Sequence, residues 1–297
     1  MSILLFGANG QVGTELRRTL LPHGDLTALT RMEADLSDAN AVKAAIASAK
    51  PKVIVNAAAY TAVDRAESEP ELASSINRDA VAAMAEAASV SGALLVHYST
   101  DYVFAGGGSQ PYQTDDPTGP KGVYGKTKLE GEMAIAASGC DHLIFRTSWV
   151  YASHGHNFVK TMLRLGQEKD QLRVVADQVG APTSAELIAD VTALAINAAT
   201  QGRINHGVYH LTAGGETSWH GLATYVFEVA RECGLQLTVA PDKIEAIPTS
   251  EFPTPASRPA NSRLSNASLE AALGIHMPDW RLHARRAVEQ LLMNERK

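Results

Sequence analysis

The chain has little cysteine, no long apolar run and no excess of basic charge. Its two cysteines, Cys140 and Cys233, stand far apart and form no CxxC or metal-ligand spacing. That excludes a disulfide scaffold and a cysteine-based metal site, and fits a reducing compartment. No apolar stretch approaches the roughly 18 residues that span a bilayer, so no membrane partner is expected. Twenty-six Lys and Arg against 32 Asp and Glu leave a formal net charge of −6, which argues against a nucleic-acid partner. With 23 glycines and 13 prolines, collagen-like and disordered classes are excluded. Fixed-period repeats and low-complexity tails are lacking too. The start, MSILLF, has neither a basic leader nor a small-residue cleavage site, and reads as a first strand of a cytoplasmic protein. What is present is 297 residues, 45% hydrophobic and 20% charged, enough for one large or two moderate domains.

Short apolar segments alternate with helical patterns through the first half. The spacing predicts strands at 3–6, 26–29, 53–56, 93–99 and 142–147. Helices are expected from Gln11 to about Leu21, from a Ser37-Asp38 cap to near Pro51, from about Glu69 to Val90, and from about Tyr124 to Ala137. This alternation implies right-handed crossovers and an α/β fold, a doubly wound parallel sheet covered on both faces. Residues 1–150 read as a dinucleotide-binding domain. A helix at about 185–199 and a strand at 207–212 return to it, and the remainder of 151–297 forms a smaller, interleaved mixed α/β substrate lobe. Ser218 is placed to cap a helix over about 219–232. The Pro-rich stretch 247–259 disfavours both helix and central strand.

Gly7-Ala8-Asn9-Gly10-Gln11-Val12-Gly13 follows the first strand and opens the first helix. Gly7 permits a tight turn, Gly10 lets backbone approach a pyrophosphate, and Gly13 lets the helix pack closely on the sheet. The helix N-terminus adds oriented N–H groups for the anion. After the second strand stand Thr30 and Arg31, with Asp35 beyond. A hydroxyl and a guanidinium suit a ribose 2′-phosphate better than a carboxylate does, so NADPH is preferred and NADH is the alternative.

Tyr124 and Lys128 lie four apart on one helical face. A free phenol has a pKa of about 10, and a nearby ammonium lowers it, readying the pair to hand a proton to a carbonyl oxygen. A third hydroxyl is expected at the carboxyl end of the 93–99 strand, where parallel sheets bind ligands; Ser99 and Thr100 both qualify. In the second lobe, Arg258 within SRPANSR, with Asn261, Ser262 and Arg263, offers a fork of donors suited to an anionic ligand. Trp149 at a strand's end offers an aromatic face, and Asn157 and Phe158 are further candidates on that side. The His154–His156 loop lacks a third ligand and reads as a substrate-side loop.

These segments together resemble the extended short-chain dehydrogenases/reductases, and within them the dTDP-4-dehydrorhamnose reductase family. The resemblance rests on ILLFGANGQVG (3–13), VIVNAAAYTAVDRAE (53–67), HYSTDYVF (97–104), YGKTKLEGE (124–132), IFRTSWVY (144–151), DQVGAPTSAEL (177–187) and TPASRPANSRL (254–264). It implies Tyr124 as proton donor, Lys128 as its partner and Thr100 as the third catalytic group. It places Gly10, Gln11 and Val12 at the cofactor diphosphate, Asp35 and Leu36 at the adenine, and Ala57, Ala59, Tyr60, Thr61 and Tyr98 along the ribose and nicotinamide. Val63, Thr100, Asp101 and Trp149 would face a dTDP-sugar. It also implies a homodimer, with Mg²⁺ at a contact involving Glu15 and Glu186. Family members can carry an acid where Thr30 stands, and His where Tyr60 stands. The implied activity is reduction of a 4-keto sugar nucleotide to dTDP-L-rhamnose. The alternatives are a reductase giving the 4-epimer of 6-deoxytalose type, and an epimerase or dehydratase retaining NAD. A non-catalytic subunit on this scaffold usually loses part of the Thr/Tyr/Lys set, which is complete here.

Overall fold

The computed structural model describes residues 1–295. The first half runs β1 (Ser2–Phe6), α1 (Gln11–Thr19), β2 (Asp25–Leu29), α2 (Ala39–Ala49), β3 (Val53–Asn56), α3 (Val63–Ala66), α4 (Pro70–Ser74), α5 (Ala80–Ser91), β4 (Leu94–Thr100), α6 (Val123–Ser138) and β5 (His142–Thr147). There follow β6 (Val150–Tyr151), α7 (Phe158–Glu168), β7 (Leu172–Val175), β8 (Val179–Gly180), β9 (Thr183–Ser184), α8 (Ala185–Thr200) and β10 (Gly207–His210). The chain ends with β11 (Thr217–Ser218), α9 (Trp219–Glu232), β12 (Ile244–Ile247), β13 (Asn261–Ser262), α10 (Ala267–Leu273) and α11 (Trp280–Glu295).

Six strands form one parallel sheet in the order β10-β5-β4-β3-β1-β2. Both faces are covered, which is why β1 and β3 are apolar without alternation. Ile3 and Leu5 enter one buried cluster with residues of α8, α9 and α11, while Leu4 and Phe6 enter the other with α2 and α5. The chain leaves β1 for β2 on one side and returns to β3 on the other. That reversal opens a crevice above the carboxyl ends of β1 and β3, where ligands bind in open α/β sheets.

Local sequence explains most boundaries. Asp38 caps α2 by accepting from the Asn40 amide, and Ser218 caps α9 by accepting from the Gly221 amide. The Ala-rich helix expected over 69–90 is continuous but carries a π turn at Ser75–Asp79, with Asn77 buried inside it. α8 packs on α1, and β10 pairs with β5 at the edge of the main sheet. The smaller lobe has no large sheet of its own: β12 pairs β7, and β8 bridges β11 and β13. Its helices α7, α9 and α11 share the buried cluster of the main sheet.

Candidate active site

A cleft of about 700 Å³ lies over the carboxyl ends of β1, β3 and β4. Gly7, Gly10, Gln11 and Val12 line it. Gly7 has a φ of +79°, and a Cβ there would meet the Ala58 amide nitrogen at 2.7 Å. At Gly13 a Cβ would meet the Gly7 carbonyl oxygen at 2.0 Å, so Gly13 seats α1 on the turn without itself facing the cleft. Gly10 is the N-cap of α1 and supplies no side-chain acceptor, so the first turn has no side-chain cap. Those N–H groups, opening on the cleft, fit a diphosphate.

Arg31, Asp35 and Leu36 form the next wall. Arg31 Nε donates to Asp35 Oδ2 at 3.1 Å. The Ser37 amide and hydroxyl hold Asp35 below its usual carboxylate range. Thr30 does not line the cleft: its amide and hydroxyl donate to Glu33 Oε2 at 2.8 and 3.0 Å. The acid beside this strand end is therefore Glu33, three residues beyond the position where family members can carry one. Ala57, Ala59 and Thr61 line the opposite wall, but Tyr60 is turned away. The Tyr60 amide donates to Asn77 Oδ1 at 2.9 Å and its hydroxyl to Glu69 Oε2 at 2.6 Å, so it anchors the π turn instead of facing the cleft.

Tyr124, Lys128, Thr100 and Tyr98 all line the inner end. Ser99 and Thr100, left open by sequence, differ in what they touch. Ser99 donates to the buried Glu132, which Arg146 also grips, and does so away from Tyr124, whereas the Thr100 hydroxyl donates to Asp101 Oδ1 at 3.0 Å beside the cleft that Tyr124 also lines. Burial pushes the Tyr124 phenol above its ordinary pKa; the Thr100 hydroxyl opposes this and Asp101 reinforces it. Lys128 stands one turn along α6 from Tyr124. Its Nζ donates to the Tyr98 carbonyl at 2.6 Å and lies 3.0 Å from His97 Nε2. Burial brings Lys128 down to about 8. Burial also raises Asp101 to about 6, against the Thr100 hydroxyl, which donates to its Oδ1 at 3.0 Å.

Val63, Asp101 and Trp149 also line the cleft. Trp149 has a φ of +50°, a left-handed conformation unusual for a bulky residue. It stacks on Trp219 with centroids 3.7 Å apart, a partner that no motif pointed to. Asn157 does not reach the cleft; it caps α7 and donates to Gln11 Oε1 at 2.9 Å, tying that helix to the glycine turn. Phe158 packs against Trp219. Arg258 also stands back from the cleft wall. Its Nη2 donates to Asp64 Oδ2 at 2.6 Å, and its buried Nη1 has no partner. Asn261 and Arg263 bind loop carbonyls and Glu216 instead of forming a phosphate cluster. Gly155 and His156 do line the cleft, as do Asn56, Ile76, Tyr102 and Ser148, which sequence reasoning missed.

Glu15 and Glu186 line a second cleft of about 680 Å³ with Arg18, His283 and Arg286. Glu15 Oε1 is 2.9 Å from His154 Nε2, and both Glu186 oxygens accept from Arg286 Nε at 3.0 and 2.9 Å. Among the described residues no group of three or more His, Cys, Asp or Glu is placed to hold a metal ion. Both carboxylates are engaged by basic side chains of the same chain, so within one chain they do not fit Mg²⁺. No helix among the described residues is long and apolar enough to cross a membrane.

Fold and cleft together define an enzyme of the extended short-chain dehydrogenase/reductase class, built around a dinucleotide cradle. Residues 1–293 match the family described as RmlD substrate binding domain. The chain is 52% identical over 295 residues to the dTDP-4-dehydrorhamnose reductase of Salmonella typhimurium, covering 98% of each. Among solved structures, a dTDP-4-dehydrorhamnose reductase from Clostridium acetobutylicum superposes with a TM-score of 0.88 at 36% identity, covering 100% of both chains. One from Bacillus anthracis, in complex with NADP, gives 0.85 at 33% identity, covering 98% of both. The chain belongs to the dTDP-4-dehydrorhamnose reductase family.

Proposed function

We propose that this enzyme reduces the 4-keto group of dTDP-4-dehydro-6-deoxy-L-mannose to give dTDP-L-rhamnose. The observation that carries the proposal is that Thr100, Tyr124 and Lys128 line the same cleft as the glycine cradle. NADPH, when bound, supplies the hydride to C4. Tyr124 holds the proton that the carbonyl oxygen takes up as hydride arrives, and Thr100 holds that oxygen beside it. Burial keeps the phenol protonated until charge develops on the oxygen. Lys128, already poised to titrate near neutral pH, returns the proton to the phenolate. Gly10, Gln11 and Val12 would hold the diphosphate, Asp35 and Leu36 the adenine, and Ala57, Ala59, Thr61 and Tyr98 the ribose and nicotinamide side. The exposed Arg31 guanidinium at the mouth favours NADPH over NADH. Val63, Asp101 and Trp149 would orient the sugar, and so fix which face hydride reaches.

A dTDP-sugar is thus the small-molecule partner, the cytoplasm the compartment, and a homodimer the assembly; sedimentation equilibrium tests the last. The test of the reaction is the loss of nicotinamide absorbance when dTDP-4-keto-6-deoxy-L-mannose is added with NADPH, followed by product identification. A 6-deoxytalose product would give the activity to the 4-epimeric reductase. Tightly retained NAD⁺ with no net turnover of NADPH would give it to an epimerase.

A further inference from the structure

Asn56 and His97 face each other as register partners on β3 and β4, directly behind Lys128. All three are deeply buried, at 1%, 0% and 1% exposure, with Asn56 and Lys128 reaching the floor of the cleft. Their hydrogen bonds have a fixed direction. The Ala58 amide can only donate, and it donates to Asn56 Oδ1 at 3.1 Å. That orients the side-chain amide, so Asn56 Nδ2, a donor, meets His97 Nδ1 at 3.1 Å. Nδ1 must therefore accept, and a neutral ring then carries its proton on Nε2. Burial, with Lys128 nearby, holds the imidazole well below its ordinary pKa, so the ring is neutral. Its Nε2–H points at Lys128 Nζ, 3.0 Å away. An amine lone pair accepts such a bond, whereas an ammonium has only donors to offer.

We propose that Asn56 and His97 are positioning residues, a one-way chain from the Ala58 amide that favours Lys128 as an amine and so sets how readily it takes and gives a proton. Every donor in this chain finds an acceptor only when Lys128 has lost its proton. Protonating it sets two donors face to face. Turning the ring or the amide to relieve that moves the same mismatch one residue back. The other groups around Lys128 are few. Glu132, one turn along α6, favours the ammonium, but its carboxylate is held by Arg146 of β5 and Ser99 of β4. Tyr124 lies one turn back on α6, and β4 adds the Tyr98 carbonyl. Asn77 of the π turn and Thr127 are neutral and bonded to each other. The chain starts at Ala58, on the loop that lines the cofactor wall, which couples that wall to the lysine.

The inference rests on the roles proposed for Tyr124 and Lys128. It is tested first by ¹⁵N NMR of His97 in the cofactor-free protein: the ring should stay neutral from pH 6 to 9 with its proton on Nε2. A proton on Nδ1, or a charged ring at neutral pH, overturns it. The second readout is the titration of Lys128 by ¹³Cε-lysine NMR, its signal assigned by loss in Lys128→Arg. In wild type the midpoint should fall near 8. In His97→Leu, proton binding should tighten about tenfold or more, and the alkaline limb of kcat/KM should move with it. A folded His97→Leu with an unmoved titration contradicts the proposal, and if that variant does not fold, the wild-type tautomer still decides. Normal turnover by Lys128→Met, by contrast, would remove the lysine's role while leaving the tautomer as found.

Discussion

Two clefts of nearly equal size, about 700 and about 680 Å³, differ in how their charged groups are held. The first sits above the strand ends, where burial moves Asp101, Tyr124 and Lys128 away from their ordinary pKa values. The second, flanked by α1, α8 and α11, presents half-buried carboxylates already paired with His154 and Arg286. Volume does not separate them, nor does burial alone, which moves His283 of the second cleft too. What separates them is the pairing of the acids, since Glu15 and Glu186 are held by basic partners. A group held in an uncomfortable protonation state has chemistry to offer, whereas a satisfied surface ion pair contributes little beyond solubility.

The largest expected effect comes from removing the proton donor of the first cleft. Tyr124→Phe should lower kcat by about 10²- to 10⁴-fold while cofactor binding, followed by fluorescence, stays near wild type. Equal loss of both would mean the phenol holds the cofactor and not the proton.

Asp101 provides a stability test of the same contrast. Its carboxyl is raised from an ordinary 3.8 to about 6 because burial favours the neutral form. That stabilisation is fully present below about pH 4 and is lost as pH rises through about 6. Relative to D101N, wild type should therefore lose at most about 3 kcal/mol of unfolding free energy across that range. Parallel denaturant curves at pH 4 and pH 7.5 check it, and coincident pH trends would contradict it.

A smaller effect is expected at the mouth. Arg31→Ala should reduce kcat/KM for NADPH about tenfold, the worth of one exposed charge-assisted contact of about 1.4 kcal/mol, and leave NADH unchanged. Smallest of all, Arg286→Ala in the second cleft should change stability by less than about 1 kcal/mol and leave turnover unaltered. Chelation by EDTA should likewise leave the rate unchanged. Loss of activity restored by Mg²⁺ would reverse the assignment of Glu15 and Glu186 as ion-pair residues.

The strands of the main sheet were legible because buried parallel strands read as short, unbroken apolar runs, and Asp38 and Ser218 announced their helices by capping. The glycine turn and the Tyr124/Lys128 spacing were legible because each demands particular residue types. The smaller lobe was not. Its strands are two to four residues long, and α7 and α11 bury faces against a core built by distant segments. Tyr60, Asn157 and Arg258 carried plausible chemistry, but their partners Asn77, Gln11 and Asp64 lie 17, 146 and 194 residues away. Nothing local marks whether such a side chain faces a ligand or a neighbour. His97 was hidden for the same reason: its meaning depends on Asn56 across the sheet.

The central claim is hydride delivery to C4 with a proton from Tyr124. It is tested most directly by turning over dTDP-4-dehydro-6-deoxy-L-mannose with NADPH deuterated at the transferable position and examining the product by NMR. The account predicts dTDP-L-rhamnose with one deuterium at C4 in wild type, formed about 10²- to 10⁴-fold more slowly by Tyr124→Phe at comparable enzyme concentration. Deuterium remaining on the cofactor, or label at any other carbon of the sugar, would contradict it.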